Sequence, residues 1–142
     1  MKVHPVDDPV DDVVVECVRQ IGIRSIRGAR DDVLARFCKV LEEWPGSVVV
    51  RVTGDCPLID PQVVDACISQ FLKEAANIDY LSNTILPTFP DGLDVEVTRA
   101  DVLEIAHQES KLPSEREHVT PFIYTRPKRF RLRNYAHTED IS

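Results

Sequence analysis

Arg51-Val-Thr-Gly-Asp-Cys-Pro-Leu-Ile-Asp60, entered from the apolar run Val48-Val49-Val50, constrains the fold of this chain more than any other stretch. The run reads as a strand buried on both faces, and Gly54, Asp55 and Pro57 mark a tight turn that stops it. Open α/β sheets gather ligands in the crevice beyond the carboxyl ends of their strands. A carboxylate fixed there, Asp55, is placed to hold a divalent cation, and such cations commonly serve phosphates. Capping the next helix or bracing the turn would use the same residue, and spacing alone leaves both open.

The rest of the sequence supports a folded domain. Its 142 residues are 43% apolar, enough for one domain with a core of its own. No apolar run approaches the ~20 residues of a membrane helix, and Met1-Lys2-Val3-His4-Pro5 carries no secretory h-region, so a cytoplasmic location and no membrane partner are expected. Net charge is −7, with Asp7, Asp8, Asp11, Asp12 and Glu16 near the start and Arg126, Lys128, Arg129, Arg131 and Arg133 near the end. Whole-chain acidity argues against a nucleic-acid partner, and Arg131 and Arg133 alternate with apolar residues as the solvent face of a strand does. Cys17, Cys38, Cys56 and Cys67 form no C-x-x-C pair. The first, second and fourth are expected to pack as small hydrophobes in helices, and Cys56 to fill a turn.

Helical spacing of Val10, Val13, Val14, Cys17, Val18 and Ile21 predicts a first helix ended by Gly22, followed by a short strand over 23–27. Asp31 or Asp32 caps a second helix with Val33, Leu34, Phe37 and Leu41 inward. A strand over 47–53 follows, then a helix from Pro61 with Val63, Val64, Cys67, Ile68, Phe71 and Leu72 on one face. Strands over 78–82 and 93–97, helices over 100–110 and 114–125, and a strand near 129–134 complete the chain. Strand and helix alternate almost throughout, which predicts an α/β domain with a mostly parallel sheet and helices on both faces. The chain opens on a helix and closes on a polar tail, so the domain reads as incomplete at both ends.

Three further groups of residues suit a site. Asp94 and Glu96, two apart on the expected strand 93–97, project to one face, where buried acids need cations or donors to meet them. An exposed strand edge would explain them equally. In Glu115-Arg-Glu-His-Val-Thr-Pro121 a helix puts Arg116 and Thr120 on one face with His118 beside it. Arg grips phosphate or carboxylate and His donates near neutral pH, but surface ion pairs would look the same. Arg27-Gly28 before Asp31-Asp32 marks a turn open to close ligand approach or, more simply, a helix cap. Neither the G-x-G-x-x-G fingerprint nor the P-loop is present.

Arg27-Gly28 with Asp31-Asp32-Val-Leu-Ala-Arg-Phe37, then Arg51 to Asp60, Asp79-Tyr-Leu-Ser-Asn83, Phe89-Pro-Asp-Gly-Leu-Asp-Val-Glu-Val97 and Glu115 to Pro121 form five ordered blocks over nearly the whole chain. Together they resemble the cytidylyltransferase-like family of SpsF-type spore-coat polysaccharide proteins, relatives of the CMP-sugar synthetases for 3-deoxy-manno-octulosonate and acylneuraminate. The resemblance implies a three-layer α/β/α nucleotide-diphospho-sugar transferase fold, with residues 1–142 as the central portion of a single domain. It implies Mg²⁺-assisted transfer of CMP from CTP to a sugar acid, with release of pyrophosphate, in polysaccharide biosynthesis. Asp55 matches the metal position, Asp94 and Glu96 the block bordering the sugar, Arg116 and His118 the substrate contacts, and Arg27, Gly28 and Asp31 the nucleotide side.

The family's opening Ala-Arg-x-Gly-Ser-x-Arg-Leu-Pro-Gly-Lys loop, which grips the CTP phosphates, has no match here. Nor has the later Thr-Val-Asp-x-Pro-Glu-Asp segment that supplies a second metal ligand. The expectation is therefore a chain inactive by itself. Two alternatives stay open: a non-catalytic nucleotide- or sugar-binding or homodimerising module, and a sugar-nucleotide glycosyltransferase of the same fold.

Overall fold

Short strands between amphipathic helices give the chain its element order: β1 (Lys2–Val3), α1 (Asp12–Gln20), β2 (Arg24–Ser25), α2 (Val33–Glu43), β3 (Val48–Arg51), α3 (Pro61–Glu74), β4 (Tyr80–Ser82), β5 (Glu96–Arg99), α4 (Ala100–Glu109), α5 (Pro113–His118), α6 (Pro121–Tyr124) and β6 (Leu132–Asn134). This computed structural model describes the backbone of Lys2–Val3 and, in full, residues 5–142. The residues fall into two compact units, Met1–Gly46 with Leu103–Phe122, and Ser47–Val102 with Ile123–Ser142. No helix among the described residues is long and apolar enough to cross a membrane.

In the first unit β1 pairs in parallel with β2, and Val6 bridges to Gly28. Asp32 caps α2 by accepting the Ala35 amide at 3.0 Å, and Leu34, Cys38 and Val40 are buried on that helix. Phe37 and Leu41, expected inward, are half-buried, because the covered stripe is rotated toward Leu34 and Cys38. Gly22 takes φ +73 and ends the turn after α1, as its position predicted. The apolar stripe of α1 is a correction: Val10, Val13, Val14, Cys17 and Ile21 are exposed, and no residue of α1 is buried. Amphipathic spacing reports that a helix has an apolar side, not that this polypeptide covers it.

The second unit holds a four-stranded sheet in the order β3-β5-β4-β6. β3, β4 and β6 run one way, and β5 runs against both of its neighbours. Three of the four strands thus share one direction, as a mostly parallel sheet requires. The β4–β5 connection contains no helix, only turns, and without a crossover the chain returns antiparallel. One face of the sheet packs on α3 through Cys67, Phe71, Ile78, Leu81, Val95 and Val97, with Val48, Val50, Val63, Val64 and Ile68 around them. Leu72, expected on that face, is 58% exposed, one position past the covered stripe.

Two more expectations change. The helix expected over 114–125 is broken: α5 stops at His118, Val119 sits at φ +75, and α6 restarts at Pro121, whose ring forbids an unbroken helix. Arg131 is more than a solvent-facing charge, since its guanidinium bonds both oxygens of Asp79 at 2.7 and 3.0 Å and holds the Asp79 carboxyl below its usual range.

Across β3 and β5, Arg51 stands opposite Glu96 and pairs with its Oε2, while Tyr80 on β4 donates to Glu96 Oε1 at 2.7 Å. Glu96 is 8% exposed, so three strands are tied through one desolvated carboxylate. Glu96→Ala should cost about 2–4 kcal/mol in urea denaturation, by stranding a half-buried Arg51 and the Tyr80 hydroxyl. Glu96→Gln, which keeps the Tyr80 bond, should cost less.

Candidate functional site

Asp55 lies in the turn that leaves β3, where Cys56 N–H donates to Thr53 O at 3.3 Å and Ile59 N–H to Cys56 O at 3.2 Å. Its carboxylate is exposed rather than folded inward. The Thr53 hydroxyl and then its own backbone hold it below the usual carboxylate range, with the Cys56 thiol and the Arg51 charge adding smaller pulls. Cys56 is buried, with Sγ 3.2 Å from Thr53 Oγ1 and 3.8 Å from Asp55 Oδ1, so it braces the turn from below. Cys38 and Cys67 are pushed by burial to about 12 and about 11, which makes both poor nucleophiles.

Asp94 is not on a strand, because β5 begins at Glu96. It sits in the segment after Pro90-Asp91-Gly92, where Gly92 at φ +93 and a Leu93 N–H to Pro90 O bond of 3.4 Å make a tight turn. Asn83, 2% exposed, fixes the segment from within. Its Nδ2 donates to Leu93 O at 2.7 Å and its Oδ1 accepts the Val95 N–H at 2.9 Å, bracketing Asp94. Burial pushes the Asp94 carboxyl above its ordinary range, and the charges of Asp91, Glu96 and Asp55 push the same way against Arg51. The Asp55 charge is thus among those that Asp94 feels, behind burial and the charges of Asp91 and Glu96. Glu96, by contrast, is committed to Arg51 and Tyr80.

No group of three or more His, Cys, Asp or Glu side chains suited to a metal exists among the described residues. A Mg²⁺ held at Asp55 would have to take most of its oxygens from phosphate and water, as this cation usually does.

In the first unit Arg27, Gly28 and Arg116, matched to the nucleotide and substrate, are engaged in the fold. Arg27 Nη1 donates to Val6 O and Asp8 O at 3.3 and 3.0 Å, and Nη2 pairs with Asp12. Gly28 has no room for a side chain, since a Cβ there would stand 2.6 Å from Arg36 Cγ. Asp31 is exposed while Asp32 caps α2. Arg116 is a strut. Its Nε reaches Asp32 Oδ2 at 2.7 Å, Nη1 reaches the carbonyls of His107 and Ser110 at 3.1 and 3.3 Å, and Nη2 meets His107 Nδ1 at 3.0 Å. Thr120 does not share its helix face, because α5 has ended. His118 is exposed. Sequence reasoning missed Arg51, Thr53 and Asn83 as site builders. A polar Asn at the end of an apolar strand was the available signal for a backbone clamp.

The strands and helices define the α/β fold of nucleotide-diphospho-sugar transferases. The chain belongs to the cytidylyltransferase family, whose model matches residues 7–142. It is 34% identical over 128 residues to the spore coat polysaccharide biosynthesis protein SpsF of Bacillus subtilis, which covers 89% of this chain and 51% of that protein. A cytidylyltransferase structure from Leptospira borgpetersenii superposes with a TM-score of 0.95 at 30% identity, over 99% of this chain and 59% of that one. The structure of CMP:2-keto-3-deoxy-manno-octonic acid synthetase complexed with CTP shares the fold, with a TM-score of 0.63 at 16% identity over 96% and 72% of the two chains. The chain spans about half the length of the curated relatives it matches.

Asp94→Asn should raise the Tm of the metal-free chain at pH 7 by on the order of 2–4 °C, because it removes a carboxylate that is costly to ionise in place. A carboxyl raised in the folded state costs nothing while protonated. The gain should therefore grow as pH rises through the carboxyl range and vanish near pH 3. Asn83→Ala should cost about 1–3 kcal/mol in urea denaturation, by leaving the Leu93 carbonyl and Val95 amide unpaired.

Proposed function

We propose that this chain carries the cation- and sugar-facing part of a cytidylyltransferase that transfers CMP from CTP to a sugar acid in surface polysaccharide biosynthesis. The observation that supports this most is the exposed Asp55 carboxylate in the turn beyond the end of β3, held below the usual range by Thr53, with its charge among those that raise Asp94. In the reaction a hydroxyl oxygen of the sugar acid attacks the α-phosphorus of CTP, the bond to the β-phosphate oxygen breaks, and pyrophosphate leaves. Mg²⁺, when bound, neutralises phosphate charge and favours departure of pyrophosphate. Asp55 and Asp94 are the groups of this chain that would hold it.

The other residues divide into those that bind and those that position. Thr53 and Cys56 set the Asp55 carboxylate, Asn83 sets the Asp94 segment, and Glu96 anchors the strands beneath both. His118, exposed just past the main strut of α5, is the available donor for the substrate. Arg116 supports that region by locking the cap of α2 to the end of α4. Arg27, Gly28 and Asp31 form the turn assigned to the nucleotide, with Asp31 free to meet solvent and Arg27 shaping the turn.

Isothermal titration of CTP with Mg²⁺ into the chain tests the assignment. Heat of binding should appear only when the cation is present, and Asp55→Asn should weaken it at least about tenfold, or 1.4 kcal/mol. Equal binding by both proteins, or binding indifferent to Mg²⁺, would remove Asp55 from the site.

A further inference from the structure

Arg36 lies in the first turn of α2. Helical side chains lean back toward the N-terminus, so its stem runs toward the turn that leads in from Gly28. A Cβ at Gly28 would stand 2.6 Å from Arg36 Cγ and 3.3 Å from Cδ. The φ of Gly28 lies outside the left-handed region, so space rather than backbone freedom calls for glycine there. The stem of Arg36 fills that space.

Arg36 is 8% exposed, the most deeply buried arginine among the described residues. Its Nε is shut from solvent without a hydrogen-bond partner, and no ion pair reaches its guanidinium among the described residues. Arg27, Arg51 and Arg116, all less buried, are paired with Asp12, Glu96 and Asp32. Burial pulls the Arg36 guanidinium below its usual range, and the charges of Asp11 and Asp32 pull it back. Both acids are nevertheless turned elsewhere. Asp11 Oδ2 accepts the Val6 N–H at 2.6 Å, and Asp32 holds the Ala35 N–H and Arg116. A guanidinium stays charged at working pH, so burying it unpaired forfeits solvation that this unit does not return.

We propose that Arg36 grips the carboxylate of the sugar acid at the turn entering α2, an assignment that rests on the proposed sugar-acid function. The motif around Arg116 offers that residue as the grip, but its Nε and both Nη atoms are taken by Asp32, His107 and Ser110. Arg36 is the guanidinium of the same unit left uncommitted. Its planar fork matches the two oxygens of a carboxylate. A phosphate brings more negative charge to a place where that of Asp11 and Asp32 is already felt, so the singly charged group is favoured.

Acetate, the carboxylate without its sugar, is the probe, added to the ¹⁵N-labelled chain at constant ionic strength and pH 7. The Arg36 Nε–Hε cross-peak should shift saturably with acetate. Exchanging about 0.1 M chloride for acetate should raise the Tm by about 2–5 °C. Arg36→Met keeps an unbranched stem beside Gly28 and removes the charge. It should lose no Tm in chloride, and acetate should no longer raise it. Should that variant fail to fold, the wild-type cross-peak alone decides. A cross-peak that acetate leaves in place, or that phosphate shifts at lower concentration, overturns the proposal, as does an acetate gain that survives in Arg36→Met. Titration of CTP with Mg²⁺ separates this outcome from that of the parent reading. Asp55-dependent heat beside an unresponsive Arg36 removes Arg36 alone. An acetate response without that heat keeps the carboxylate site and removes the nucleotide from the function.

Discussion

The buried carboxylate of Glu96 is the contact on which the sheet-borne half of the site depends. It receives Arg51 from β3 and the Tyr80 hydroxyl from β4, so three strands converge on one charge. Arg51 is also the last residue of β3, and the turn carrying Asp55 begins two residues later. Fixing Arg51 therefore fixes the start of that turn. On the other strand, Glu96 opens β5, and the Asp94 segment enters just before it. One ion pair aligns the two chain segments from which the acids project, and its positive member tempers the repulsion between them.

That arrangement explains why the acids differ. Asp55 is exposed and surrounded by donors, so it stays ionised at little cost. Asp94 is partly withdrawn from water among Asp91, Glu96 and Asp55, with a single cation nearby, so its charge is resisted. A fold under pressure only for stability would relieve the crowding with one amide.

Much of this was legible in the sequence because local signals were consistent. The apolar run 48–50, the Gly-Asp turn, the Asp32 cap and the Pro61 start each point to the element that forms. Where the reading diverged, tertiary structure decided. The direction of β5 depends on what its connection contains, which alternation of strands and helices does not reveal. Apolar spacing predicts a helix running through Pro121 although its ring ends one, and Val119 at φ +75 absorbs the break. The α1 stripe is amphipathic, but periodicity cannot say whether a partner surface exists. Arg116 was legible as a phosphate-type side chain, yet its donors are taken by Asp32, His107 and Ser110, distant in sequence and invisible without coordinates.

The most direct test of a shared cation site is paramagnetic broadening by Mn²⁺, used in place of Mg²⁺, across the ¹⁵N spectrum of the chain with and without CTP. The account predicts that substoichiometric Mn²⁺ broadens the amides of Asp55 and Asp94 together, and at lower concentration when CTP is present. Broadening centred instead on the acidic stretch Asp7–Asp12, with Asp55 and Asp94 unaffected in the presence of CTP, would contradict it.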